Sequence, residues 1–145
     1  MAITSAVCTS FKQELLVGTH NFTATTGNTF KIALFTSSAT LGASTTAFAT
    51  SNEITNSSGT AYTSGGATLT NITPTTDSTT AVCDFTDVSF TSASFTANGA
   101  LIYNSSASNK AVVVIAFGGD KTVSSGTFTI QFPAADATNA IIRLA

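Results

Sequence analysis

The segment Gly126-Thr-Phe-Thr-Ile-Gln-Phe sets Phe128, Ile130 and Phe132 on one side of an extended chain and hydroxyl or amide side chains on the other. A repeat of two cannot follow the 3.6-residue turn of a helix, so such a segment buries a single face only as a β-strand. Pro133 then stops it. Thr29-Phe-Lys-Ile-Ala-Leu-Phe-Thr repeats the pattern, with Phe30, Ile32 and Leu34 opposite Lys31, Ala33 and Phe35, and apolar residues on both sides predict a strand inside a sheet.

Other segments follow the same logic. Residues 67–73 read as a strand ended by Pro74, with 75–80 polar enough to turn the chain. Residues 82–96 read as one strand or two joined by a bulge. Residues 100–105 and 110–117 flank Ser105-Ser-Ala-Ser-Asn and predict an antiparallel hairpin, whose second arm is apolar on both faces and belongs in mid-sheet. Gly118-Gly-Asp-Lys reads as a turn, and 139–145 as a last strand.

One helical pattern interrupts the series. Over residues 8–18, Ser10 is placed to cap the N-terminus, Phe11, Leu15 and Leu16 fall on the apolar side among Lys12, Gln13 and Glu14, and Gly18 supplies the stop. A helix this short does not persist alone in water, so its apolar side is expected to pack on the domain or on a neighbour. Between about 37 and 66, Ser, Thr, Ala, Asn and Gly dominate around the anchors Leu41, Phe48, Ile54 and Tyr62, which predicts a long ordered loop. The expected architecture over residues 1–145 is therefore one mainly β domain, an antiparallel β-sandwich or barrel-like fold of seven or eight strands with one short N-terminal α-helix.

Composition narrows the functional classes. The chain has 5 Lys and Arg against 7 Asp and Glu in 145 residues, while Ser and Thr make up about a third of it. Soluble domains carry about a quarter charged residues, so a hydroxyl and amide exterior points to packing against other subunits. Eleven Phe and a positive mean hydropathy supply enough apolar material to fold. Five scattered cations form no basic stripe, which argues against nucleic acid. The longest apolar run, 111–117, is far short of the roughly 18 residues of a membrane helix, and no secretion signal is read at the N-terminus.

Catalytic chemistry is not legible. His20 is the single histidine and reads as a turn residue beside Gly18. Zinc requires several His or Cys ligands at local spacing, and Asp77, Asp84 and Asp87 lack the spacing of a calcium loop. Those carboxylates and Asp120 read as solvated loop and edge positions, and Gly65-Gly66 and Gly118-Gly119 as turns rather than phosphate cradles. Cys8 and Cys83, far apart and with no metal-ligand spacing, read first as two free buried thiols, with a disulfide as the alternative. Asn-x-Ser/Thr triplets at Asn21, Asn56, Asn71 and Asn104 arise readily by chance in a chain this rich in Ser and Thr. The expectation is a non-enzymatic protein with no cofactor.

Longer strings carry a resemblance. Phe11-Lys-Gln-Glu-Leu-Leu-Val-Gly-Thr-His-Asn-Phe, the stretch from Phe30-Lys-Ile-Ala-Leu-Phe-Thr to Phe48, and Tyr62-Thr-Ser-Gly-Gly-Ala-Thr-Leu resemble a group of small tailed-bacteriophage virion structural proteins. Gly99-Ala-Leu-Ile-Tyr-Asn-Ser, Asn109-Lys-Ala-Val, Thr127-Phe-Thr-Ile-Gln-Phe-Pro and Ala140-Ile-Ile-Arg extend the likeness over nearly the whole chain, with Phe35 and Phe48 standing where relatives are expected to carry Tyr. The resemblance implies a place in the particle, with head decoration (cement) at the capsid surface preferred and a tail, neck, baseplate or exterior host-binding position as the alternative. It implies synthesis in the host cytoplasm, and as partners the major capsid protein and copies of this chain in a homo-oligomer or symmetric array. The residues expected at partner contacts are Phe11, Leu15, Leu16, Leu41, Phe48, Ile54 and Tyr62.

Overall fold

In the computed structural model, residues 1–55 and 61–145 are described, so Asn56 and part of the expected 37–66 loop lie outside the described residues. The elements in chain order are β1 (Ala6–Val7), α1 (Thr9–Leu16), β2 (Phe30–Phe35), β3 (Ala67–Thr68), β4 (Asn71–Asp77), β5 (Thr80–Phe85), β6 (Val88–Asn104), β7 (Lys110–Ile130) and β8 (Ile142–Leu144). They form two antiparallel sheets, ordered β1-β7-β6-β2-β3 and β4-β5-β8. The mainly β, sandwich-like fold, with a single short helix among the described residues, matches the expectation from the sequence pattern.

An aromatic chain joins the sheets. Phe30 of β2 stacks on Phe22 at 4.3 Å, and both rings meet Phe85 of β5. Phe11 of α1 closes edge-on against Phe22. β2 runs between β6 and β3, and the burial of Phe30 and of Ile32 through Phe35, residues of both parities, shows that both of its faces are covered. The β6–β7 hairpin forms as expected, with Asn104 opposite Lys110 and Ala111–Val114 buried between β6 and β1.

Several boundaries differ from the sequence reading, each for a local reason. Residues 67–73 divide into β3 and β4, and Pro74 lies inside β4 rather than ending it. It sits where the register slips between Ile72 and Thr75, at an edge strand, where a missing N–H costs little. The chain turns only at Ser78 and Thr79, with Ser78 in the left-handed region. Residues 88–104 are one long strand with bulges. Gly118-Gly-Asp-Lys does not reverse the chain either: β7 continues through it, and residues 117–120 bulge opposite the single Asn98, whose amide donates to Asp120 at 2.8 Å. Positive φ at Gly118 and Gly119 absorbs the extra length. The last strand is confined to Ile142–Leu144, and β1 had no sequence signal beyond two apolar residues.

The described parts of the 37–66 segment lie along the large sheet through isolated bridges Ile3–Leu41, Ala47–Lys110 and Glu53–Phe35. Tyr62 is fully buried and its hydroxyl bridges two groups, accepting from the Leu34 N–H at 3.0 Å and donating to Glu53 Oε1 at 2.6 Å. Ser64 Oγ and the Gly65 N–H also donate to the Glu53 carboxylate. Burial, reinforced by that carboxylate, pushes the Tyr62 hydroxyl far above its ordinary range, which keeps its proton available to donate.

Candidate docking surface

Helix α1 is held at both ends. Cys8, not Ser10, occupies the N-cap, with extended backbone and no side-chain cap. Its own N–H donates to Val112 O, which ties the helix start to β7. Ser10 Oγ is buried and has no hydrogen-bond partner among the described residues. At the other end the Gly18 N–H donates to Leu15 O and the Thr19 N–H to Glu14 O, a Schellman closure that turns the chain sharply back toward the sheet.

That closure carries His20 inward, and here the sequence reading needs correction. His20 follows the turn, but its side chain is fully buried. Asn104 Oδ1 accepts from the Ser106 N–H, so its amide nitrogen faces the imidazole and donates to His20 Nδ1 at 3.0 Å. The proton therefore sits on His20 Nε2, which donates to Glu14 Oε1 at 3.1 Å. Lys110 Nζ reaches Glu14 Oε2 at 3.1 Å. Burial acts to raise the Glu14 pKa, but these hydrogen bonds and the lysine charge outweigh it and hold the carboxylate below its ordinary value. One polar chain thus pins helix, turn and hairpin together.

With its polar side so fixed, α1 turns Leu15 and Leu16 toward the small sheet. Between them runs an apolar groove of about 540 Å³, walled by Val7, Phe11, Leu15 and Leu16 on one side and by Ile142 and Leu144 on the other. It continues past Phe22, Pro74 and Cys83. Leu16 is 89% exposed and Leu144 58% exposed at its rim, and Val17 beside Leu16 is also exposed. Lys12 and Arg143 are the charged residues along it. A second apolar groove, of about 500 Å³, is lined by Ile141, Ile115, Phe117, Phe128, Phe132 and Lys121.

The residues expected at partner contacts divide between two roles. Phe11, Leu15 and Leu16 come together at the first groove, where Phe11 forms the buried floor and Leu16 the exposed rim. The other four lie elsewhere and hold the described parts of the 37–66 segment to the sheet. Ile54 and Tyr62 are buried, Leu41 bridges to Ile3, and Phe48 stacks on Tyr103 at 4.5 Å. Ile142, Leu144 and Lys12 were missed as groove residues, although Ile142 and Leu144 share one parity of the last strand and were open to that reading.

The remaining groups resolve simply. Cys8 and Cys83 are free and buried, and burial pushes the thiols up to about 11 and about 12 respectively. Asp77, Asp87 and Asp120 are exposed, whereas Asp84 is half-buried in β5. Among the described residues, no three His, Cys, Asp or Glu side chains gather as metal ligands, and no helix is long and apolar enough to cross a membrane. Comparison of the chain with protein-family models, with curated proteins and with solved structures finds no match.

Proposed function

We propose that this chain is a non-catalytic structural subunit of a tailed-bacteriophage particle, a decoration (cement) protein that binds the capsid surface and bridges major capsid subunits. The observation that carries this reading is the clustering of exposed apolar side chains, Leu16 and Leu144, on the rim of one groove in an exterior otherwise dominated by hydroxyls and amides. A lone chain gains nothing by presenting such a rim to water, whereas a subunit docked on a lattice buries it. The string resemblance supplies the particle. Binding to the assembled lattice and not to its free subunits stabilises the shell by mass action.

The test is co-sedimentation of the purified chain with expanded capsid shells, together with its copy number relative to the major capsid subunit in purified particles. Near-stoichiometric copies, shell binding, and loss of binding in Leu16→Glu with the fold retained are expected. A handful of copies per particle transfers the protein to the tail or neck. Absence from particles, or shells whose resistance to heat is unchanged when the chain is removed, overturns the proposal.

A further inference from the structure

The distribution of charge around the grooves narrows what can lie in them. All seven carboxylates are engaged within the chain. Glu14 and Glu53 are buried in the networks described above. Asp77 accepts from the Ala137 N–H, Asp84 from the Phe85 N–H and Asp87 from the Phe132 N–H, while Asp120 and Asp136 accept from Asn98 and Asn139. None of them lines either apolar groove.

The cations behave differently. Lys110 is paired with Glu14, and Arg143 donates to the carbonyls of Ala137 and Thr138. Lys12, Lys31 and Lys121 make no ion pair among the described residues. Lys12 stands on the α1–β8 groove and Lys121 on the neighbouring one. A chain of net charge −2 therefore presents unpaired positive charge at its apolar grooves.

From this complementarity we infer that the groove between α1 and β8 takes an apolar segment of another protein that carries carboxylates beside its apolar residues. The apolar part lies between Leu15, Leu16, Ile142 and Leu144, and an Asp or Glu at its flank meets Lys12. Burial of the apolar side chains supplies most of the affinity, and the lysine selects against basic partners. The inference rests on the groove being the docking surface, but not on the partner being a capsid subunit.

The probes are two fluorescein-labelled peptides with the same Ala-Leu-Leu-Ala-Phe-Leu centre, one flanked by glutamates and the other by lysines. Binding to the full chain is followed by fluorescence anisotropy at low and high salt. The glutamate peptide should bind about fivefold more tightly at low salt, as one exposed charge pair allows, and the gap should shrink as salt rises. Lys12→Glu should reverse the order, and Leu16→Glu should abolish binding of both with the thermal midpoint unchanged.

Equal binding of both peptides, an order unaffected by Lys12→Glu, or binding indifferent to Leu16→Glu overturns the inference. So does sedimentation showing that the groove is filled by a second copy of the chain. If shells fail to bind while the peptides discriminate, the capsid assignment falls and the groove specificity stands. If shells bind through Leu16 while the peptides do not discriminate, the specificity falls and the docking surface stands.

Discussion

Replacing Tyr62 by Phe isolates the contribution of one hydroxyl to the closure of the 37–66 segment. The ring stays, with its neighbours Phe90 at 5.5 Å and Phe95 at 6.1 Å, so no cavity opens. Among the described residues the hydroxyl has two polar partners to lose. The Leu34 N–H, which points at Tyr62 in the buried sheet, is left without its acceptor, at about 1–3 kcal/mol. The Glu53 carboxylate loses a 2.6 Å donor, a charged hydrogen bond of about 1.5–3 kcal/mol, partly offset because Ser64 and Gly65 still donate. The expected cost is about 3 kcal/mol. With a urea slope of about 2 kcal/mol per molar, the unfolding midpoint falls by about 1.5 M, and the thermal midpoint falls by about 9 °C. Urea unfolding followed by far-ultraviolet circular dichroism reads this directly, and hydrogen exchange at Leu34 should accelerate with it. Tyr103→Phe, which removes the hydroxyl donated to Gly65 O at 2.6 Å, serves as the control at about 1 kcal/mol. A midpoint shift for Tyr62→Phe no larger than that of the control would refute the assignment of the hydroxyl as the closing bridge.

Two further outcomes follow from the same structure. Stability should be lost at both ends of the pH range. Burial raises Cys8 and Cys83 from 9.0 to about 11 and about 12, and Tyr103 from 10.0 to about 12, so their contribution is complete below the ordinary values and disappears as pH rises through the folded ones. Glu14 is shifted the other way, so its contribution is present above its ordinary value of 4.5 and is lost as pH falls through the lower folded value. Urea midpoints measured across pH should drop at each end, and Glu14→Gln should flatten the acid limb; a flat alkaline limb would count against the buried thiols and phenols. Gly66→Ala should abolish folding, because a Cβ there would overlap the Ile32 carbonyl and φ is +81°. Gly118→Ala, with φ +76° but open space around it, should cost only about 1–2 kcal/mol by thermal melting, and comparable losses for the two would contradict the close approach at Gly66.

Part of the candidate site was legible and part was not. Phe11, Leu15 and Leu16 could be placed on one side of a short helix because local periodicity sets helix faces. That Leu16 stays in water while Glu14 turns inward could not be read, since a 3.6-residue period leaves both near the boundary of the apolar face. The decision came from His20, carried inward by the turn that closes the helix, and from Lys110, which is distant in sequence and reaches Glu14 only once the hairpin has formed. Leu41, Phe48, Ile54 and Tyr62 stood out as isolated apolar residues in a polar stretch. The sequence does not separate anchors that face the chain's own sheet from anchors that face a partner.

Alternation alone determined that this protein is built of strands, that β2 and the start of β7 are covered on both faces, and that residues 105–109 close a hairpin, because side-chain direction along a strand repeats every two residues whatever the surroundings. Tertiary structure decided that β7 passes through two glycines without reversing, that Pro74 sits within an edge strand, and that a buried carboxylate orients the helix. Each of these depends on which backbone groups find partners across the sheets, and that pairing is settled between residues far apart in the chain.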